Sequence, residues 1–277
     1  MQHYIAYFSP AGTTRTVAER IYMTLQKHHL EAKLHDLTVH GSPLASFLQN
    51  LASPCVLWLG SPVYCDHALP PLMEQIAALP ENLQGYSVPY VTWGGVCSGF
   101  ALQEMGEALS QKRLPPLAAA KIVAEHSSTW DAPKPWEAGR PNPEDLILID
   151  KLVQYVVQSV QGEASQPMDL RKLNYLSTAQ QADAALKSLS KAKTAMGTPK
   201  ADVARCIQCG DCVQACPTGA MSLQPWPAVA EELCIVCHQC VRNCPETAFP
   251  HNGALVAERI ASMAAASDED KVTALFY

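Results

Sequence analysis

The chain has 277 residues, of which 48% are hydrophobic and 17% charged, with a formal net charge of −6 at pH 7. This length and apolar content suit one or two folded domains and exclude disordered, collagen-like and coiled-coil chains. No run approaches the roughly 20 apolar residues of a membrane helix, and no signal-peptide pattern opens the sequence. We therefore expect a cytoplasmic protein with no membrane partner. The acidic charge balance also disfavours a nucleic-acid partner.

The first 160 residues alternate strand-like apolar runs with helical patterns. The predicted strands are 3–8, 32–37, 55–60, 88–93 and 119–125, and helices are predicted after residue 14, near 44–51, 72–79 and 100–112, and from residue 143. Because parallel strands need crossover connections, this order predicts an α/β fold with a doubly wound, parallel five-stranded sheet. Ligands of such sheets bind at the carboxyl ends of the strands.

Three loops at that edge carry residues suited to a cofactor. The first offers hydroxyl groups and helix-start N–H groups, which can bind a phosphate. The second holds an aromatic ring on a proline-stiffened segment, and the third is glycine-rich, so that a flat ligand can approach its backbone. One such turn alone is more often a helix cap, but three on one edge favour a cofactor site. The candidate cofactor-binding residues are Ser9, Gly12, Thr13, Thr14, Ser61, Pro62, Val63, Tyr64, Gly94, Gly95 and Gly99.

These three loops, in this order, resemble those of the flavodoxin family over roughly residues 1–160. The resemblance implies a flavodoxin-like fold that binds FMN, with the phosphate on the first loop and the isoalloxazine between the other two. Two departures stand out. Ala11 replaces a hydroxyl residue usual in the family, and the third loop lacks the aromatic ring that many flavodoxins stack on the flavin. Tyr64, Trp93 and Phe100 remain candidates for that ring.

The cysteines are concentrated in a second region. Eleven are present, and eight of them follow the spacing C-x₂-C-x₂-C-x₃-C-P twice, with the second run 28 positions after the first. A zinc site closes with four ligands in two pairs, and disulfides need an oxidising compartment, so neither alternative accounts for this pattern. The runs are Cys206, Cys209, Cys212 and Cys216, then Cys234, Cys237, Cys240 and Cys244.

The repeat resembles the bacterial two-cluster ferredoxin. The resemblance implies two [4Fe-4S] clusters in a small α+β ferredoxin domain, in which the fourth cysteine of each run binds the other cluster. Cluster one would be held by Cys206, Cys209, Cys212 and Cys244, and cluster two by Cys234, Cys237, Cys240 and Cys216.

The chain then divides into four segments. Residues 1–162 form the predicted FMN domain, 163–204 a helical linker, 205–250 the ferredoxin-type domain and 251–277 a helical tail.

The linker pattern predicts an amphipathic helix over 176–189. This helix either packs on a neighbour as a simple connection or docks its lysines between two acidic domains. The segment 126–143, rich in proline and tryptophan, is predicted to cover the flavin or contact the ferredoxin-type domain. Residues 268–270 are predicted to form a solvated turn.

The whole chain resembles the fused flavodoxin–ferredoxin proteins of bacteria and archaea, which implies electron transfer. Iron–sulfur clusters exchange single electrons, and a flavin takes one or two. We expect an oxidoreductase that passes electrons between the clusters and FMN, with a low-potential donor or acceptor protein or a small-molecule substrate as its partner. The alternative is an electron carrier or binding module with no substrate chemistry of its own. The proton-donor candidates are Tyr64, Asp66, His67, Cys97 and Ser98.

Overall fold

The computed structural model describes residues 1–39, 41–49, 54–81, 83–162 and 165–277. Short 3₁₀ helices lie at Ser127–Thr129 and Leu170–Leu173. No helix within these ranges combines the length and apolar content needed to cross a membrane. In chain order the elements are β1 (Gln2–Tyr7), α1 (Thr13–Lys27), β2 (Ala32–Asp36), α2 (Leu44–Phe47), β3 (Cys55–Tyr64), β4 (His67–Ala68), α3 (Pro70–Ala77), β5 (Gly85–Trp93), α4 (Ala101–Gln111), β6 (Ala119–Val123), α5 (Pro143–Gln161), α6 (Thr178–Ala185), α7 (Leu189–Met196), α8 (Asp211–Gln214), β7 (Met221–Leu223), β8 (Pro227–Val229), α9 (Gln239–Arg242), α10 (Gly253–Ala266) and β9 (Ala274–Phe276).

The main sheet contains the five predicted parallel strands in the order β2-β1-β3-β5-β6. Counted over the parallel strands alone, this is the flavodoxin-like order 2-1-3-4-5, and its direction of winding reverses between β1 and β3. The flavodoxin-like fold class is thus confirmed. The predicted helix near 44–51 is observed over Leu44–Phe47, and its predicted end falls at residues 50 and 51, outside the described residues.

Two helical layers cover the sheet because each strand residue points alternately to one face or the other. On one face, Val17, Ile21 and Leu25 of α1 are fully buried against α5 residues such as Leu152 and Val156. The helical spacing of these apolar residues places them on one stripe of α1. On the other face, α3 and α4 pack over β1 and β3. The core therefore lies on both sides of the sheet, and polar chemistry is left to its edge.

The C-terminal tail differs from the expected helix after α10. Its last residues form β9, which pairs antiparallel with β6 and so extends the sheet beyond the predicted five strands. The edge of β6 offers backbone N–H and C=O groups that need partners, and the tail supplies them. A three-residue strand carries too little hydrophobic periodicity to be recognised from sequence.

The linker also differs from the predicted single helix. It forms α6 and α7, and the break falls where the Ser188 side chain accepts a hydrogen bond from Lys191 N at 3.2 Å and starts the second helix. Lys187 Nζ forms an ion pair with Asp66 Oδ2 at 2.6 Å in the sheet domain. Lys193 Nζ donates to the Glu231 carbonyl at 2.5 Å in the cysteine-rich domain. The linker therefore makes the contacts to both domains that the docking interpretation requires.

The acidic segment at 268–270 is not a solvated turn throughout, because Glu269 is buried. Its carboxylate accepts hydrogen bonds from Ser98 N at 2.7 Å and Ser98 Oγ at 2.5 Å. Lys121 Nζ lies 2.5 Å from Glu269 Oε1, and the side chains of this pair are 7% and 5% exposed. Lys121 also lies over the rings of Trp93 and Tyr175, at 5.0 and 4.7 Å from their centroids. These contacts satisfy a charge that would otherwise be costly to bury.

We expect Lys121→Met to lower the free energy of unfolding by about 3–5 kcal/mol, because Glu269 would remain buried without its cation. The double variant Lys121→Met/Glu269→Leu removes both charges and should recover most of the loss. Urea unfolding, monitored by circular dichroism, measures the free energy of unfolding of the single and the double variant. Arg171→Ala, in the exposed ion pair with Asp169, is the matched control and should leave the midpoint unchanged. A Lys121→Met protein as stable as the parent would contradict this account of the tail.

Candidate functional site

The carboxyl ends of β1, β3, β5 and β6 open into a cavity of about 1060 Å³. It lies beside the point where the strand order reverses, which is where doubly wound sheets bind ligands. The second cysteine run, the linker and α10 form the opposite walls. Of the residues predicted to bind a cofactor, six line this cavity: Thr13, Thr14, Pro62, Val63, Tyr64 and Gly94.

The other five predicted residues do not line the cavity; they shape the loops around it. Ser9 Oγ accepts a hydrogen bond from Arg15 N at 2.9 Å, and Ser61 Oγ donates to the Pro62 carbonyl at 2.8 Å. Both hydroxyl groups are thus engaged within the protein. The remaining three are the glycines Gly12, Gly95 and Gly99, all with positive φ.

The first loop retains the features of an anion site. Gly12 precedes α1 without a side-chain cap, so the first-turn N–H groups of Thr13 and Thr14 have no capping side chain. Such groups, together with the helix dipole, attract a phosphate. The Thr14 and Thr92 hydroxyl oxygens lie 2.7 Å apart, which fixes the loop to β5. Ala11 lines the cavity without offering a donor.

Gly94, the glycine at the start of the third loop, lines the cavity and also makes room for a neighbouring side chain. A Cβ at Gly94 would meet the ring of His126, with Cγ at 2.9 Å, so the missing side chain makes room for that histidine. His126 Nδ1 accepts from Ser128 Oγ at 2.9 Å, and burial lowers the pKa of His126 to about 4, so its ring is neutral at pH 7. His126 is not among the site residues predicted from the sequence, although it opens the unusual segment directly after the last parallel strand.

The second loop ends in a tight hairpin. Cys65 and Asp66, with φ of 52° and 65°, are the two turn residues between β3 and β4, a geometry that requires positive φ at both positions. Burial raises the pKa of the Asp66 carboxyl, and its ion pair with Lys187 opposes that shift. Asp66 is the buried carboxylate of the cavity wall.

The proton-donor candidates divide into two groups. Tyr64, Asp66 and Cys97 line the cavity. His67 and Ser98 do not, because partners elsewhere hold them: His67 Nδ1 lies 2.6 Å from Glu104 Oε1, and Ser98 binds Glu269. Trp93 lines the cavity although it is almost fully buried, whereas Phe100 lies outside it beside His67.

The eight cysteines fall into the two predicted sets. Cys206, Cys209, Cys212 and Cys244 line one small cavity. The other four cysteines interact with one another through their charges. Burial, and then the charges of Cys216 and Cys234, raises the pKa of Cys237 to about 12. The pKa of Cys240 is raised to about 12 by burial and then by Cys237, Cys234 and Cys216. Burial favours the neutral thiol at these cysteines, whereas binding to a metal centre requires the thiolate.

The backbone repeats along with the cysteines. Positive φ recurs at positions 28 residues apart, in the pairs Gln208 and Val236, Gly210 and His238, and Gly219 and Thr247. This conformation is unfavourable for the residues other than glycine, so both loops are held in the same wound shape by their surroundings. Backbone N–H groups point to sulfur in two places: Val236 N to Cys234 Sγ at 3.4 Å, and Ala248 N to Cys244 Sγ at 3.3 Å. Hydrogen bonds to thiolate sulfur are typical of iron–sulfur sites.

The second cysteine loop is part of the wall of the large cavity. Ile235 is 4% exposed and belongs to the core of the flavodoxin-like domain, where Tyr64 and Cys237 also pack. Burial, and next the charge of Cys237, raises the pKa of Tyr64. Gln239 Nε2 donates to the Pro10 carbonyl of the first loop, and Arg242 donates to the Ser127 carbonyl at 3.0 Å. The two predicted cofactor regions therefore meet at this loop.

The segment 126–143 contacts the cysteine-rich region, as predicted. The rings of Trp130 and His251 stack at 4.3 Å, and the Arg242 guanidinium lies 4.9 Å from the Trp130 centroid. His251 Nε2 lies 3.1 Å from the Ser128 carbonyl oxygen and 3.2 Å from Asp131 Oδ1. The start of the segment also lines the cavity.

A flavodoxin-like sheet is joined in this chain to a cysteine-rich domain. Within this chain, residues 205–248 match the family described as a 4Fe-4S dicluster domain. The chain is thus a fusion of a flavodoxin-like domain and a ferredoxin-type domain. No curated protein sequence matches it.

Solved structures similar to this chain include flavodoxins. A flavodoxin from the domain Archaea is 15% identical, with a TM-score of 0.43, over 58% of this chain and 100% of that one. Oxidised flavodoxin 2 from Bacillus cereus is 17% identical, with a TM-score of 0.43, over 57% and 99%. Rubredoxin oxygen:oxidoreductase from the anaerobe Desulfovibrio gigas is 15% identical, with a TM-score of 0.41, over 63% of this chain and 37% of its own.

We expect Gly99→Ala to destabilise the protein by about 3 kcal/mol, because its φ of 60° is unfavourable for alanine and the new Cβ would overlap the Asp66 carbonyl. Gly139→Ala is the matched control. Gly139 also has positive φ, at 80°, but a Cβ added there would meet no atom within 4 Å. Gly139→Ala should lower the free energy of unfolding by only about 1 kcal/mol. Thermal unfolding of both variants makes the comparison, and equal losses would contradict the role given to this close approach.

Proposed function

We propose that this chain is an iron–sulfur flavoprotein that binds FMN and two [4Fe-4S] clusters and passes single electrons between them. The observation that carries the proposal is the shared wall: the second cysteine loop contributes Ile235 to the core of the flavodoxin-like domain and lines the cavity at the sheet edge. Cluster two would therefore be the cluster next to the flavin, and cluster one the outer cluster.

The residues of the cavity fit FMN in three respects. The first-turn N–H groups of Thr13 and Thr14, which no side chain caps, suit its phosphate, the cavity lies at the reversal of strand order, and Tyr64 offers aromatic surface for its ring system. When bound, FMN supplies chemistry in steps of one or two electrons, and clusters supply single electrons. Tyr64 and Ile235 form apolar packing beside Cys237, which excludes water from the region between the two sites.

The outer cysteine loop is suited to meet a redox partner. Cys209 is exposed, and the neighbouring Ile207 is 61% exposed, whereas Cys237 of the inner loop packs inside the protein. Electrons would pass from a low-potential donor protein to cluster one, then to cluster two and FMN. The net charge of −6 favours a partner with a basic face. An external substrate or redox partner would then be reduced at the flavin.

The alternative function is that of a carrier which exchanges electrons with proteins alone. The lining of the cavity favours the oxidoreductase, because Tyr64, Asp66 and Cys97, the proton-donor candidates, line the same cavity that would hold the flavin.

Purification without oxygen should yield about eight irons and one FMN per chain. We expect Cys216→Ala and Cys244→Ala each to retain about half of the iron, because each removes a ligand of one cluster. Only Cys216→Ala should also weaken FMN binding, since cluster two adjoins the cavity. Iron, sulfide and flavin analysis tests this. Zinc without flavin in the parent would contradict the proposal, and equal flavin loss in both variants would contradict the assigned order.

The contacts of α9 give a second test, aimed at FMN binding. We expect Gln239→Ala/Arg242→Ala to raise the Kd for FMN about tenfold, because two hydrogen bonds that hold the first loop and the 126–143 segment are lost. The matched control is Asp211→Ala/Gln214→Ala, at the positions 28 residues earlier in the outer loop. Fluorescence titration with FMN measures Kd at equal iron content. Equal effects of the two double variants would contradict the role of α9.

A further inference from the structure

Part of the wall of the large cavity comes from neither the sheet edge nor the cysteine loop, and we call this part the outer compartment. It is formed by linker residues between 186 and 200 and by one side of α10. These segments come from the linker and the tail, so they are additions to the two redox domains. The cavity of about 1060 Å³ is thus enclosed partly by the sheet edge, which would hold FMN, and partly by these added segments.

The charges of this compartment have one sign. The residues that line it from the linker and α10 include four cations, Lys187, Lys191, Lys200 and Arg259, and no carboxylate. The two acidic lining residues, Asp66 and Glu125, belong to the sheet edge. In a protein of net charge −6, a stretch of cavity wall whose charged side chains are all cations attracts anions.

Two of these cations have no partner among the described residues. Lys187 is neutralised by Asp66 and Asp183, and Lys191 Nζ donates to the Leu186 carbonyl at 2.6 Å. Lys200 and Arg259 line the cavity with no hydrogen bond or ion pair to the described part of the chain. They are therefore available to bind an anionic group from outside.

The remaining surface of the compartment is apolar. Met196, Val256, Ile260 and Met263 line it between the cations, and Met263 is 38% exposed. Methionine side chains adapt their shape to flat or aliphatic ligands. A ligand with an apolar body and one anionic group would match both properties.

We propose that this outer compartment binds a small organic anion with an apolar body, held by Arg259 and Lys200, next to the flavin site. The proposal rests on the proposed function and names the class of its small-molecule ligand. The anionic group would lie at the mouth, where the cations are, and the apolar body against α10.

Benzoate is a suitable probe for the fully loaded protein. Saturation-transfer NMR should show that benzoate binds, and the visible absorption of FMN should shift as benzoate is added. Benzamide has the same shape without the charge and acetate has the charge without the ring, so we expect both to bind at least about tenfold more weakly. The Kd for benzoate should rise with salt concentration because the attraction is electrostatic.

The variant Lys200→Gln/Arg259→Gln tests the assigned residues. It should raise the Kd for benzoate about tenfold with no change in iron or FMN content, because neither residue has a structural partner among the described residues. Lys151→Gln, an exposed lysine of α5 far from the cavity lining, is the matched control and should leave the Kd unchanged.

Three results would overturn the inference: no benzoate binding to protein that retains iron and FMN, equal binding of benzoate and benzamide, or an unchanged Kd in the double variant. Loss of FMN from the parent protein is a different outcome. It would contradict the proposed function before the benzoate titration begins.

Discussion

The burial of Ile235 in the core of the flavodoxin-like domain is the contact on which the arrangement of this protein depends. Burial of an isoleucine side chain stabilises the folded state by about 1.5–3 kcal/mol. Because Ile235 belongs to one domain and the core around it to the other, its burial stabilises the contact between the two domains. Because Ile235 lies between Cys234 and Cys237, its burial fixes the inner cysteine loop against the sheet edge. Hydrogen bonds from Gln239 and Arg242 complete this interface with directional contacts.

The path of the chain reinforces that contact. The linker leaves the flavodoxin-like domain, and the tail returns to it as β9, so the ferredoxin-type domain is held at both of its ends. Glu269 of the returning tail binds Ser98 of the third loop and Lys121 of β6. The loop beside the cavity is thus positioned by residues far along the sequence. The ferredoxin-type domain is thus joined to the flavodoxin-like domain through the linker, the inner cysteine loop and the tail.

The same attachment shapes the cavity. Four parts of the chain meet around it: the sheet edge, the inner cysteine loop, the linker and α10. The sheet edge supplies glycines, hydroxyls and aromatic surface, which suit a nucleotide-like cofactor. The linker and α10 supply cations and methionines. One continuous cavity is therefore lined by two chemically different sets of residues, a property that neither domain would have by itself.

The sequence alone determined the features that depend on local spacing. Alternating apolar runs specified the five parallel strands, and the repeated cysteine spacing specified two equivalent loops, because such patterns act through neighbours a few residues apart. The tertiary structure decided which loops meet. The burial of Glu269, the pairing of β9 with β6, the position of His126 beside Gly94 and the insertion of Ile235 all join residues distant in sequence. Periodicity carries no information about such contacts, because they arise only when complete elements pack and bury their remaining polar and apolar groups.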